Sequence, residues 1–171
     1  MESKNPPAKK TFLKRKADPN TGPSEIVPNF YVSSCHDAYS LSALQKINTS
    51  HILTCGGNLK TPFDHHKLFS YEQLQIMDQP GVSLIKFFPQ AFKFIDSFLE
   101  ATQVYEVQPL SPEDQKSKKS VLVHCMAGCS RSVSIMTAYL MMKLNVGFDE
   151  MIEHVKAMRP VARPNKGFVE Q

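Results

Sequence analysis

Ser120-Val121-Leu122-Val123-His124-Cys125 runs into Met126-Ala127-Gly128-Cys129-Ser130-Arg131, and Ser132 to Met142 follows without a charged residue. The first run is apolar and β-branched, as a strand buried at the centre of a sheet is. The second is a turn of small residues. The uncharged stretch implies a helix buried on most of its circumference. Strand, tight turn and buried helix in succession are a building unit of an α/β domain.

The flanking sequence extends the pattern. Phe30 to Ser33 reads as a short strand, and Leu41, Leu44 and Ile47 set an apolar stripe on a short helix. His51 to Cys55 is a second buried strand, stopped by Gly56-Gly57, and Tyr71 to Met77 a third, stopped at Asp78-Gln79-Pro80-Gly81. Phe88, Ala91, Phe92, Ile95, Phe98 and Leu99 recur at helical spacing, with Pro89 where a first-turn proline is tolerated. Phe148, Met151, Ile152, Val155 and Met158 form another stripe, with Asp149 and Glu150 in its first turn, Lys156 and Arg159 in its last, and Pro160 ending it. Strands interleaved with helices predict an α/β fold. Its mainly parallel central sheet is covered by helices on both faces, and the 126–131 turn joins a central strand to a buried helix.

A chain of 171 residues, 42% of them hydrophobic, has room for one ordinary domain. Residues 1–27 are expected to be a disordered basic leader and 28–171 the folded domain, with a polar insertion at 102–120. Residues 1 to 20 hold six basic and two acidic side chains, and the rest of the chain fourteen of each. The excess charge of +4 therefore belongs to the leader, and the body has no field to steer it onto nucleic acid. The Lys9 to Lys16 cluster reads as a solubilising tail, a nuclear address or a docking arm. No apolar run approaches the roughly 18 residues of a membrane span, and the amino terminus lacks a signal-peptide segment. Cysteine is sparse (35, 55, 125 and 129) and never spaced C-x-x-C, which points to a reducing compartment, cytoplasm or nucleus.

The turn after Cys125 has a chemical use. A turn leading from a strand into a helix directs free backbone N–H groups at an anion, and Gly128 permits close approach. Cys125 stands at its entrance and Arg131 six positions on, a planar fork able to hold two phosphate oxygens. Thiolate is the nucleophilic form of cysteine, and a helix amino terminus beside a guanidinium favours it. Nucleophile, anion cradle and charge clamp occur together.

His124-Cys125-Met126-Ala127-Gly128-Cys129-Ser130-Arg131-Ser132 resembles the H-C-x-x-G-x-x-R-S signature loop of the cysteine-dependent protein tyrosine phosphatases, and A-G-x-S-R-S is similar to the dual-specificity branch, small atypical type. Phe30-Tyr31-Val32, the Asp78 turn, Ala138 to Met141 and the segment from Arg159-Pro160 through Pro164-Asn165 to Gly167-Phe168 keep that family's order, so the resemblance covers about residues 28 to 171. Gln171 falls near where that family's last helix begins.

The resemblance implies hydrolysis of phosphotyrosine and phosphoserine or phosphothreonine in proteins through a cysteinyl-phosphate on Cys125, without metal or other cofactor. Arg131 and the loop Met126, Ala127, Gly128, Cys129 and Ser130 would bind the phosphate. Ser132 would hydrogen-bond the sulfur, and His124 and Asn165 would support the loop. Among upstream aspartates, Asp96 lies on an expected helix, Asp114 in the insertion, and Asp64 in an expected loop with His65 and His66. Asp78 directly follows a strand, opens a turn and matches the family's acid position, so it is the expected general acid. Two adjacent histidines rarely converge on one ion, so Asp64-His65-His66 is not expected to hold a metal. In some lipid-phosphatase relatives a cysteine at the strand end corresponding to Cys55 traps the oxidised nucleophile. Cys55 is therefore either a redox partner of Cys125 or a small buried hydrophobe.

Competing functions are a non-catalytic module that binds phosphoproteins, and a phosphatase for phosphoinositide or RNA 5'-phosphate. Retention of Cys125, Arg131 and an acid weighs against the first, and the absence of lysine within the loop against the second. A sulfurtransferase uses a shorter cradle. The expected partner is a phosphoprotein substrate, with a protein kinase docked by the leader as a further candidate. A monomer without nucleic acid or membrane contact is expected.

Overall fold

The computed structural model describes residues 22–102 and 118–171. Five strands, β1 (Ser24–Val27), β2 (Phe30–Ser33), β3 (Thr49–Cys55), β4 (Ser70–Leu74) and β5 (Ser120–His124), form one sheet in the order β1-β2-β5-β3-β4. All neighbours run parallel except β1, which is antiparallel to β2. The short helices α1 (Cys35–Ala38) and α2 (Leu41–Lys46) follow β2; α3 (Phe88–Thr102), α4 (Arg131–Leu144), α5 (Phe148–Met158) and α6 (Lys166–Val169) complete the domain. No helix of the described residues is long and apolar enough to cross a membrane.

Alternation along the strands divides the core between the two faces of the sheet. Val121 and Val123 of β5, Leu53 of β3 and Phe30 of β2 join the larger cluster, built with Phe98 and Ile95 of α3, Val133 and Tyr139 of α4 and Val155 of α5. Leu122 and Ile52, one position out of step, pack with Ala38 and Leu44 on the opposite face. β5 is buried at every position because it lies between two strands and beneath both layers. In the larger cluster Phe30 meets Phe98 edge-on at 5.6 Å and stacks on Tyr139 at 6.0 Å.

The leader ends earlier than its proline content suggests. Ser24 to Val27 form β1, with Ile26 buried, and Asn29 takes the left-handed conformation (φ 68°) that turns the chain into β2. Four residues between Pro23 and Pro28 give little periodicity, so pairing with β2 decides their state. The third expected strand stops at Leu74 instead of Met77, and residues 75–84 cross the carboxyl ends of the strands as a loop. Of the expected insertion, residue 102 closes α3 and Ser120 opens β5, its hydroxyl donating to the Ile47 carbonyl at 2.7 Å. Residues 103–117 and 1–21 lie outside the described residues.

Phe98 is fully buried and contacts Phe30 and His51 through its ring. Phe98→Ala is expected to lower the unfolding free energy by about 3–5 kcal/mol, read from urea denaturation at neutral pH.

Candidate active site

β5 delivers Cys125 to the carboxyl edge of the sheet, and residues 126–130 lead into α4 at Arg131. Every backbone carbonyl from Met126 to Ser130 accepts a hydrogen bond, and Ala127 O also accepts from the Cys129 thiol within the loop at 3.4 Å. Cys35 N donates to Met126 O at 3.0 Å, Arg159 Nη2 to Ala127 O at 3.5 Å and Arg159 Nε to Gly128 O at 2.6 Å. Arg163 N donates to Cys129 O at 2.7 Å, and Ser134 N to Ser130 O at 2.8 Å. Among the described residues, no N–H from Met126 to Arg131 donates to a protein acceptor. A loop with its carbonyls tied down and its N–H groups in excess is a receptor for an anion.

Glycine is required at the centre of this loop. Gly128 has φ +67°, and a Cβ there would run into the Ser33 carbonyl and the Arg159 guanidinium. Gly56, after β3, has φ +153° and would bring a Cβ to 2.6 Å from Arg131 Nη1. Both contacts are with groups that frame the cradle, so close backbone approach is built in from two strands.

Around the loop the expected residues meet. Cys125 is buried, and the Ser132 hydroxyl donates to its sulfur at 3.2 Å. The Arg131 side chain is buried, with Nη1 donating to Ile76 O at 3.4 Å, whereas its buried Nε has no hydrogen-bond partner among the described residues. That Nε lies 3.8 Å from Asp78 Oδ2. Asp78 is itself held in place: Ser130 Oγ donates to Oδ1 at 2.6 Å and Asn165 Nδ2 to the same oxygen at 2.7 Å. Asn165 N donates to Ser130 Oγ at 3.1 Å, and Asn165 Oδ1 caps α6 by accepting from Phe168 N at 3.0 Å. Ser130, expected only as a loop residue, thus joins Asp78 to the loop.

His124 is buried beneath the loop, sharing a 2.9 Å hydrogen bond with Thr54 and packed edge-on against Tyr39. Burial lowers its pKa to about 4. Cys55 ends β3 next to β5, one residue beyond the Thr54–His124 pair. Burial, and secondarily the charge at Cys125, push its thiol well up. All four cysteines are free thiols.

Other sequence candidates lie elsewhere. Asp96 pairs with Lys143 at 2.7 Å and accepts from the Tyr139 hydroxyl at 2.8 Å. Asp64, His65 and His66 form an exposed single turn, and the described residues hold no cluster of three metal-ligating side chains. Asp114 lies outside the described residues. Sequence reasoning missed Arg159 as a loop contact, because a cation in a last helical turn has a sufficient explanation in the helix dipole. It also missed Gln73, whose amide donates to Gly56 O at 2.9 Å and Leu59 O at 2.8 Å and so holds the segment after β3.

The family model for the dual specificity phosphatase catalytic domain matches residues 30–171. This chain belongs to the dual-specificity phosphatase family. It is 35% identical over 149 residues to dual specificity protein phosphatase 7 of Homo sapiens, covering 87% of this chain and 32% of that protein. It is equally identical to dual specificity protein phosphatase 1 of Arabidopsis thaliana, over 87% of this chain and 66% of that one. The chain thus spans about a third of the length of the human relative. Among solved structures it is similar to the human tyrosine phosphatase-like serine/threonine/tyrosine-interacting protein, with a TM-score of 0.72 and 29% identity over 87% of this chain and 91% of that one.

The depressed His124 pKa has a consequence for stability. Below about pH 6.5 the unfolded chain takes up a proton on this imidazole that the native state refuses until about pH 4. Stability present above pH 6.5 is therefore lost as pH falls toward 4, by about 3 kcal/mol from this group. Comparing urea midpoints at pH 7.5 and pH 5 is expected to show this loss, reduced in His124→Gln.

Proposed function

We propose that this dual-specificity phosphatase domain hydrolyses phosphotyrosine and phosphoserine or phosphothreonine in proteins through a cysteinyl-phosphate on Cys125. The observation that carries the reading is the 126–131 loop, with every carbonyl from 126 to 130 engaged and no N–H donated to the protein among the described residues. Such a cradle, with the free Nε of Arg131, matches the equatorial oxygens of a phosphoryl group.

The chemistry follows from the positions. Cys125 sulfur attacks phosphorus in line with the ester oxygen; the S–P bond forms as the P–O bond breaks, and Asp78, protonated, gives its proton to the departing oxygen. Asp78 is held against the loop by Ser130 and Asn165, which limits its search for that proton transfer. In the second step Asp78, now a carboxylate, takes a proton from water as the water oxygen attacks phosphorus. The S–P bond breaks, the Ser132 hydroxyl stabilises the thiolate that leaves, and inorganic phosphate is released.

Phosphoproteins are the substrate class in this reading, with a protein kinase docked by the Lys9 to Lys16 cluster as a candidate partner. A second reading, a phosphoprotein-binding module, draws on the similar structure named for a phosphatase-like interacting protein. Cys125 in contact with Ser132, and an acid already held over the loop, favour turnover. Cys55 also belongs to this proposal as a redox partner. Peroxide oxidises the Cys125 thiolate to a sulfenic acid; the Cys55 sulfur then attacks the Cys125 sulfur, forming the disulfide and releasing water.

Turnover of an aryl phosphate with chelator present is expected for wild type and absent in Cys125→Ser. Asp78→Ala is expected to lose about 100-fold or more, and more on esters with poorer leaving groups. Phosphopeptide binding without any turnover would establish the binding module instead. After peroxide, non-reducing peptide mapping is expected to recover a Cys55–Cys125 link with activity restored by dithiothreitol. Sulfinic or sulfonic Cys125 without that link overturns the role of Cys55.

A further inference from the structure

Arg159 is a buried cation that the reaction above does not use. It follows α5, and none of the described carboxylates lies within ion-pair distance of its guanidinium. Its partners are oxygens of neutral groups: Gly128 O at 2.6 Å from Nε, Ala127 O at 3.5 Å from Nη2, and the Ser24 hydroxyl at 3.1 Å from Nη1. Burying an arginine without a carboxylate is costly unless its donors are satisfied, and here three donors are used. Burial lowers its pKa, with the charges at Cys129, Asp37 and Cys125 acting in the opposite direction. An arginine remains charged through such a shift.

The two carbonyls it holds have partners across the peptide plane. Ala127 O shares its peptide group with Gly128 N–H, and Gly128 O shares its own with Cys129 N–H. In a planar trans peptide the N–H lies opposite the C=O, so a carbonyl clamped on one side fixes the direction of the N–H on the other. Hydrogen bonding at the oxygen also polarises the N–H, which strengthens its bond to an anion.

We propose that Arg159 is a positioning residue of the phosphate loop, gripping the Ala127 and Gly128 carbonyls from behind so that the Gly128 and Cys129 N–H groups are aimed at the phosphoryl oxygens. The proposal rests on the reading of residues 126–131 as a phosphate cradle. The guanidinium fork is suited to this because one rigid plane reaches adjacent carbonyls, which a lysine ammonium cannot do with the same fixed geometry. Gly128 completes the arrangement, since a side chain there would collide with the same guanidinium. Arg159 touches no reacting atom and acts through the two peptide groups.

Arg159→Lys, Arg159→Met and Ser24→Ala, each in the full chain, separate this role from a purely structural one. Inorganic phosphate serves as competitive inhibitor and an aryl phosphate as substrate, with thermal unfolding measured alongside. Arg159→Met is expected to raise both the inhibition constant for phosphate and KM about tenfold or more, the cost of misdirected hydrogen bonds to a charged group. Arg159→Lys, which keeps charge and stem, is expected to shift both in the same direction by a smaller factor. Ser24→Ala, which removes the Nη1 partner of Arg159 on β1 but leaves both loop carbonyls held, is expected to leave both within twofold. Should Arg159→Met fail to fold, Arg159→Lys decides. Unchanged inhibition constant and KM in folded Arg159→Lys, with only a lower Tm, overturn the proposal, as does an equal rise in Ser24→Ala, which would route the effect through β1. A wild-type chain that neither binds phosphate nor turns over substrate would instead defeat the cradle reading itself.

Discussion

The rest of the structure depends on keeping one loop of backbone turned the wrong way for its own hydrogen bonding. Residues 126 to 130 lie between β5 and α4 and present their N–H groups to an anion, so their carbonyls need donors outside a strand ladder. Those donors come from well-separated parts of the chain: Cys35 at the start of α1, Arg159 after α5, and Arg163 before α6. Each is a segment that a parallel sheet brings to the same edge. The fold can thus be understood as a means of satisfying one side of a loop so that its other side stays available.

Asp78 depends on the same convergence. Its loop leaves β4 and crosses the strand ends, where Ser130 and Asn165 hold one carboxylate oxygen and the Arg131 guanidinium lies near the other. The carboxyl-terminal segment is tied to this loop a second time, by the Gln171 side chain accepting from Leu84 N at 2.6 Å and donating to Val82 O at 2.9 Å. Acid, loop and last helix therefore form a connected hydrogen-bond network. Such networks restrict the positions their members can sample, which matters for a proton transfer that depends on distance.

Beneath the loop, charge is kept out. His124 is held neutral by burial and Cys55 is held as a thiol, and the strands flanking β5 carry no carboxylate, lysine or arginine. The two guanidiniums, Arg131 and Arg159, are the buried charges among the described residues, and both are placed against the loop. In a setting of low polarity their effect on a bound dianion is less screened than it would be at the surface.

By itself the sequence determined the local pattern. Apolar runs, helical stripes and turn residues specify most strands and helices, because side-chain periodicity is a local property, and the Cys125 to Ser132 motif specifies a cysteine and a small-residue turn before a helix. It also confined the proposed acid to a few aspartates, of which Asp78 opens the Pro-Gly turn on the loop that leaves β4. Only tertiary structure decided that Ser24 to Val27 are a strand, since a short edge strand exists through its partner and not its own pattern. It likewise decided that Arg159, 28 residues beyond Arg131 by their numbering, lies behind the loop. Contacts of that kind have no sequence period, because they arise from the path of the chain over the sheet, and a cation at a helix end looks the same whether it faces water or a buried carbonyl.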